Sequence, residues 1–191
     1  MKHLTRAAFS LIFATTCLLT ACSSSTPVQV DLDRVLDITT TTMDRMEQES
    51  GMDDQDSAML RFSQALQIDI NMAEPKLHSQ SIGIALQEDG SINGFSDDNI
   101  NAIWDDGEAD LFKLEIDSEK NRLIASQGEY VRDQRFSGSG LIAGLLIGHM
   151  LSRQRGAGVK PGALSSKTAS PARSSTTARS RSGSGSHSSG K

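Results

Sequence analysis

Apolar residues recur at three- and four-residue steps from Leu32 through Val35, Leu36, Met43 and Met46, a spacing that predicts an amphipathic helix. The run Thr39 to Thr42 interrupts it with β-branched side chains that are stiff at χ1 and weaken helix propensity. Gly51 breaks the pattern. Asp53, Asp54 and Asp56 then offer N-caps and favourable first-turn charge to a second helix, with Met59, Leu60, Phe62, Ala65 and Leu66 as its buried stripe and Pro75 barring extension. Beyond Pro75 the period changes to two. Ile82, Ile84 and Leu86 alternate with small or polar residues, and Glu88-Asp89-Gly90-Ser91 is a turn signal, so a strand and hairpin are expected. Ser96-Asp97-Asp98 predicts the cap of a short helix carrying Ile100, Ile103 and Trp104 and ending at Gly107. A second hairpin follows: Leu111 to Ile116, a turn over Asp117 to Asn121, and Arg122 to Ser126, with Tyr130 and Val131 extending the return strand past Gly128. The pattern amounts to an α+β domain of two helices and a three- or four-strand antiparallel sheet over residues 31–135. That length suffices for independent folding, and residues 23–135 alone are expected to stay folded and soluble, though eight aromatic residues in 191 imply a thin core.

Residues 136–152 form an apolar stretch in which Gly140, Gly144 and Gly148 are spaced by four. On a helix this spacing places the three glycines on one face, where another helix can approach closely. The G-x-x-x-G-x-x-x-G pattern resembles the glycine zippers of bacterial envelope lipoproteins and membrane oligomers, and the resemblance implies self-association through that face. Gly138 to Ser152 is 15 residues, about 22 Å of helix against a hydrocarbon core of about 30 Å. Three arrangements stay open: a helix inserted partly in a membrane or self-associating, a segment packed on the acidic domain, or a true span. The last would place Arg153, Arg155 and the tail in the cytoplasm by the positive-inside rule.

Charge divides the chain in two. Residues 23–135 carry nine Lys and Arg against all 24 Asp and Glu, a balance of −15, whereas residues 152–191 carry eight basic residues and no acid. The tail 153–191 is Ser, Gly, Thr, Ala and Arg with almost no apolar bulk, so it is expected to be disordered. Its charge suits anionic lipid headgroups or an envelope polymer; it lacks the aromatic residues that stack on nucleic-acid bases, so no nucleic-acid partner is expected. Residues 22–30, rich in Ser, Thr, Pro and Gln, read as a flexible tether.

The N-terminus supplies an address. Lys2 and Arg6 form a basic n-region, and Ala7 to Leu19 is an uncharged run of 13 residues, long enough for a secretory signal and too short to cross a bilayer. Leu19-Thr20-Ala21-Cys22 follows it, and this resembles the lipobox of a bacterial lipoprotein precursor. The resemblance implies removal of residues 1–21 and acylation of Cys22 with chains such as palmitate; Ser23 in place of Asp implies an outer-membrane rather than inner-membrane address. Two or more acyl chains anchor stably where one binds marginally. Cys17 lies within the removed segment, so the mature chain keeps no free thiol for a disulfide, a nucleophile or a metal.

Catalytic signals are weak. Asp89, Ser91, Asn93, Gly94 and Asp97 fall at EF-hand loop positions, but Ile100 stands where the bidentate Glu is needed. The pairs Asp53/Asp54, Asp97/Asp98 and Asp105/Asp106 sit where caps or turns are expected. Of four His, only His78 belongs to the domain, which leaves no triad or zinc site; Trp104 and Tyr130 read as core or edge anchors. No cofactor, metal or enzymatic activity is expected. The sequence points to a membrane-anchored envelope lipoprotein with a structural or interaction role, or alternatively to a periplasmic ligand- or ion-binding module whose glycine segment is part of the fold.

Overall fold

A computed structural model describes residues 29–48, 54–136, 140–160 and 162–171; Cys22, the preceding segment and residues 172–191 lie outside them. The fold is α+β. Two helices, α1 (Leu32–Gln48) and α2 (Gln55–Met72), precede an antiparallel meander of β1 (Ser81–Leu86), β2 (Ile92–Asp97), β3 (Asp110–Asp117), β4 (Arg122–Gln127) and β5 (Tyr130–Arg135), and α3 (Leu141–Gly156) follows.

α1 runs unbroken through its threonines: Thr39 and Thr42 are buried and their hydroxyls return to the helix, Thr39 Oγ1 donating to Val35 O at 2.7 Å and Thr42 Oγ1 to Ile38 O at 2.8 Å. Asp54 is the N-cap of α2, as its position predicts, its Oδ1 accepting from the Ser57 amide at 2.8 Å. The buried stripe of α2 is Ala58, Met59, Phe62, Leu66 and Ile70, with Ala65 half-buried beside it. Leu60 is a correction: it is 60% exposed, because two residues turn a helix about 200° and carry it away from the face shared by Ala58 and Phe62.

The sheet has one strand more than the largest count the pattern predicts. Gly128, at φ +57°, ends β4, and Gln127 pairs with Tyr130 in a separate strand rather than an extension. The expected helix at 96–107 does not form, and β2 extends through Asp97 into an irregular loop. Asp97, 1% exposed, accepts from the amides of Asn101 at 3.0 Å and Ala102 at 2.9 Å, and the side chains of Asn99 and Asn101 both donate to Asp105 at 2.8 Å. These short polar side chains bond locally to backbone and to one another, which competes with a helical ladder. Ile100 and Ala102 are thereby held in the left-handed region at φ 60° and 58°.

α1 packs over β4 and β5, α2 over β1, and α3 against α1, α2 and β3. Leu146 and Met150 of α3 are fully buried and join Leu36, Phe62, Leu66, Phe112, Leu114 and Leu123 in one core. Among the described residues no helix is long and apolar enough to cross a membrane; of the three arrangements open for the glycine segment, the packed one is observed.

Candidate functional site

The sheet face opposite the core carries the charge. Along β3, Lys113, Glu115 and Asp117 alternate with the core residues Phe112, Leu114 and Ile116, so period-two geometry sends all three to the outer face. Register brings Arg122 of β4 opposite Asp117; on β5 its register partner is Arg135, and Asp133, two residues on and on the same face, lies diagonal to it. The Arg122 guanidinium donates from Nε to Asp117 Oδ2 at 2.9 Å and from Nη1 to Asp133 Oδ2 at 2.8 Å. At the other end Lys113 Nζ donates to Asp89 Oδ2 at 2.8 Å and lies 3.7 Å from Glu115 Oε1.

This network is roofed by the C-terminal segment, a further correction: residues 153–156 complete α3, and residues 162–171 form a strap over the outer face instead of a free tail. Arg122 Nη2 donates to Leu164 O at 3.0 Å and Lys167 O at 2.7 Å, Lys167 pairs with Glu115, and Ser165 Oγ donates to Asp117 Oδ1 at 3.0 Å. Ser170 closes the free edge of β5, its N–H donating to Val131 O at 2.8 Å and its Oγ accepting from the Val131 amide at 3.1 Å. Across the sheet, the Asn71 side chain holds the edge of β1 at Ile82 N and O, at 2.9 and 2.8 Å. Both sheet edges are thus partly blocked against pairing with other chains.

Ion pairing sets the titration of this face. Burial pushes the Asp89 carboxyl up, but hydrogen bonds from Lys113 and from the hydroxyl and amide of Ser91 outweigh it and bring the pKa down to about 2. Burial likewise pushes the Asp117 carboxyl up, but hydrogen bonds from Arg122, Ser165 and the Lys120 and Glu119 amides outweigh it and hold it below its ordinary value. A carboxylate depressed in the folded state stabilises the fold above its unfolded pKa of about 3.9 and loses that contribution as pH falls through the folded value. Because the Asp89 side chain is 36% exposed, solvent screening leaves the effect at about 1 kcal/mol or less. Urea unfolding is expected to show Asp89→Asn less stable than wild type above about pH 5, with the gap closing toward about pH 2. A gap that does not change with pH contradicts this.

The residues singled out in the sequence fare unequally. Gly140 and Gly148 face side chains, Glu47 and Gln55, and a Cβ on Gly144 would meet nothing within 4 Å, so no helix backbone uses the glycine face within the described residues. The EF-hand spacing is not a loop: Ser91 adjoins β2, Asn93 to Asp97 lie in it, and Asp89 is occupied by Ser91 and Lys113. Asp54 caps α2, Asp97 ties the loop and Asp105 accepts from two Asn side chains, so the acidic pairs do not converge; Asp53 lies outside the described residues. His78 accepts from the Gln80 amide at 3.3 Å. His149, read as part of a membrane or packing helix, is buried between Arg153, 2.9 Å away, and Asp56, 3.3 Å away. Trp104 stacks on Phe95, with ring centroids 5.8 Å apart and planes 9° from parallel.

A further surface was not visible in the sequence. Ile68 and Met72 of α2 and Ile100 and Ile103 of the 98–109 loop are 58, 73, 78 and 62% exposed. Ile68, Met72 and Ala102 line a shallow cleft beside Ser81 of β1. Compared with known proteins, the chain matches no family model, no curated protein and no solved structure.

Proposed function

We propose that this chain is an envelope lipoprotein with a non-enzymatic interaction role, anchored at the outer membrane through acylated Cys22 and facing the periplasm. The lipobox order Leu19-Thr20-Ala21-Cys22 and the Ser at position 23 support the anchor and its address. The observation that carries the interaction role is the shallow apolar cleft in which Ile68 and Met72 of α2, 58 and 73% exposed, meet Ala102 beside Ser81 of β1. Clustered exposed apolar side chains of this kind mark docking surfaces. The charged groups of the outer sheet face are engaged with one another and with the strap, so this cleft is the surface that supports partner contact. Leu141, 69% exposed, and the open flank of Gly144 offer a strip for self-association through α3.

Mass spectrometry of the mature N-terminal peptide is expected to show an acylated Cys22, and Cys22→Ser is expected to move the protein from the membrane to the soluble fraction. Unchanged fractionation rules the anchor out. Pull-down from envelope membranes with the acylated protein should then capture a partner that Ile68→Asp combined with Met72→Asp loses.

The second reading, a periplasmic ligand- or ion-binding module that includes the glycine segment in its fold, is favoured by one observation, the burial of Leu146 and Met150 in the core. It predicts a small-molecule or ion-dependent rise in Tm and partner capture indifferent to Ile68 and Met72.

A further inference from the structure

Two clefts meet beside the edge strand β1. The apolar one, lined by Ile68, Met72 and Ala102, also carries the side chains of Gln64 and Gln67. The other, at the connection from α2 to β1, is polar and is lined by Lys76, His78 and Ser79. Asn71 and Ser81 line both, so the two are contiguous, and the 98–109 loop reaches each of them, with Ile100 in the polar cleft and Ala102 in the apolar one. Their volumes are about 280 and 610 Å³, the scale of sites that take organic groups rather than single ions.

The polar cleft holds donors whose acceptors are missing. His78 is only 9% exposed, and its Nδ1 accepts from the Gln80 amide at 3.3 Å, which places the proton of the neutral ring on Nε2. That Nε2 and the Lys76 ammonium have no partner among the described residues. The acceptors close by are spent: Gln80 Oε1 takes the Ser96 hydroxyl at 3.0 Å, and Asn71 Oδ1 takes the Ile82 amide at 2.9 Å. No acidic residue lines either cleft. Of the acids at neighbouring positions, Asp69 is held by Arg45 and Thr42, and Asp97, the register partner of Ser81, accepts the Asn101 and Ala102 amides. Glu74 makes no ion pair with Lys76.

From this pairing we propose that the two clefts together bind the free C-terminus of a partner protein that ends in apolar residues. The terminal carboxylate accepts from His78 Nε2 and Lys76 Nζ, and apolar side chains of the terminus lie against Ile68 and Met72. The proposal rests on the reading of the apolar cleft as a docking surface and names what docks there. Charge complementarity selects an anion for the polar cleft, because a donor and a cation without acids of their own gain charge-assisted bonds from a carboxylate. The apolar cleft selects what the anion is attached to. Gln64 and Gln67 make no side-chain hydrogen bond with another described residue, and their amides match the donors and acceptors of a peptide backbone. An acyl chain would leave those amides unused, and in a shallow cleft it would keep one flank in water and lose part of the gain from burial.

The test titrates the whole mature chain, residues 22–191 without acylation, with acetylated hexapeptides ending in Leu, Ile, Val or Phe, each as the free acid and as the C-terminal amide. Binding is followed by the NMR signals of the Met72 methyl and the His78 ring. At least one free acid is expected to shift both signals, and its amide to bind about tenfold or more weakly. His78→Phe should bring the preference for acid over amide close to one. Lys76→Gln, a surface change that leaves the core intact, should lower the same preference by up to about fivefold and serves if His78→Phe does not fold. Equal binding of acid and amide overturns the proposal, as does the absence of any shift at millimolar peptide. Decanoate that displaces the peptide and binds more tightly than it also overturns the proposal, by making the clefts a fatty-acid site. Ile68→Asp with Met72→Asp separates the two readings. If acid and amide bind alike and this variant loses both, the docking surface stands without the carboxylate; if this variant binds the acid as wild type does, both readings fall.

Discussion

Arg122→Ala is expected to destabilise the protein by about 3–5 kcal/mol, because it strips the partner from a carboxylate that cannot reach water. The side chains of Arg122 and Asp117 are 6% and 2% exposed, and Arg122 also donates to Asp133 and to two strap carbonyls. Removing the guanidinium leaves Asp117 with only Ser165 and two turn amides, from Glu119 and Lys120. Arg122→Lys keeps the charge without the planar fork and should fall between wild type and Ala. Replacing Arg122 and Asp117 together by Met and Leu should recover most of the loss, since a buried pair owes much of its apparent worth to the penalty of breaking it. Urea unfolding followed by circular dichroism measures all three; a loss below about 1 kcal/mol for Arg122→Ala means the network is better solvated than its burial implies.

Ending the chain at residue 135 is expected to cost more still, a result opposite to the expectation from length that residues 23–135 fold alone. Leu146 and Met150 are fully buried, and Leu145, Ile147 and Leu151 pack half-buried on the same cluster. Burying one such side chain is worth about 1.5–3 kcal/mol, so losing α3 removes at least about 5 kcal/mol, comparable to the whole stability of many domains. The truncated domain should lose cooperative unfolding or solubility, and Leu146→Ala in the full chain should cost about 2–5 kcal/mol. Gly144→Ala provides the contrast. Its new methyl meets open space, so it should raise stability by up to about 1 kcal/mol through helix propensity. If it instead lowers stability or breaks crosslinked oligomers, the glycine face is an interface between copies.

How much was legible in the sequence follows from how local each signal is. Asp54 as a cap, the turn at Glu88 to Ser91 and the hairpin around Asp117 to Asn121 each depend on a few neighbouring residues, and each is present. The 98–109 loop was misread because Asp97 and Asn101 are equally good at starting a helix and at tying an irregular turn. Burial of Asp97 under the loop settles the choice.

By itself the sequence determined the α+β class, the order of helices and hairpins, the polarity of charge and the lipobox resemblance, because periodicity, turn chemistry and composition are properties of adjacent residues. Only the tertiary structure decided where α3 and the strap go. Apolar residues surround α3 on every side, from Leu141 through Leu145, Leu146 and Ile147 to Met150 and Leu151, so no stripe announces a buried face. The strap has little apolar surface and is held by Glu115, Asp117 and Arg122, which lie some 40 to 50 positions earlier. Such pairing is fixed by the register of a sheet that must already exist, and no window of sequence contains it.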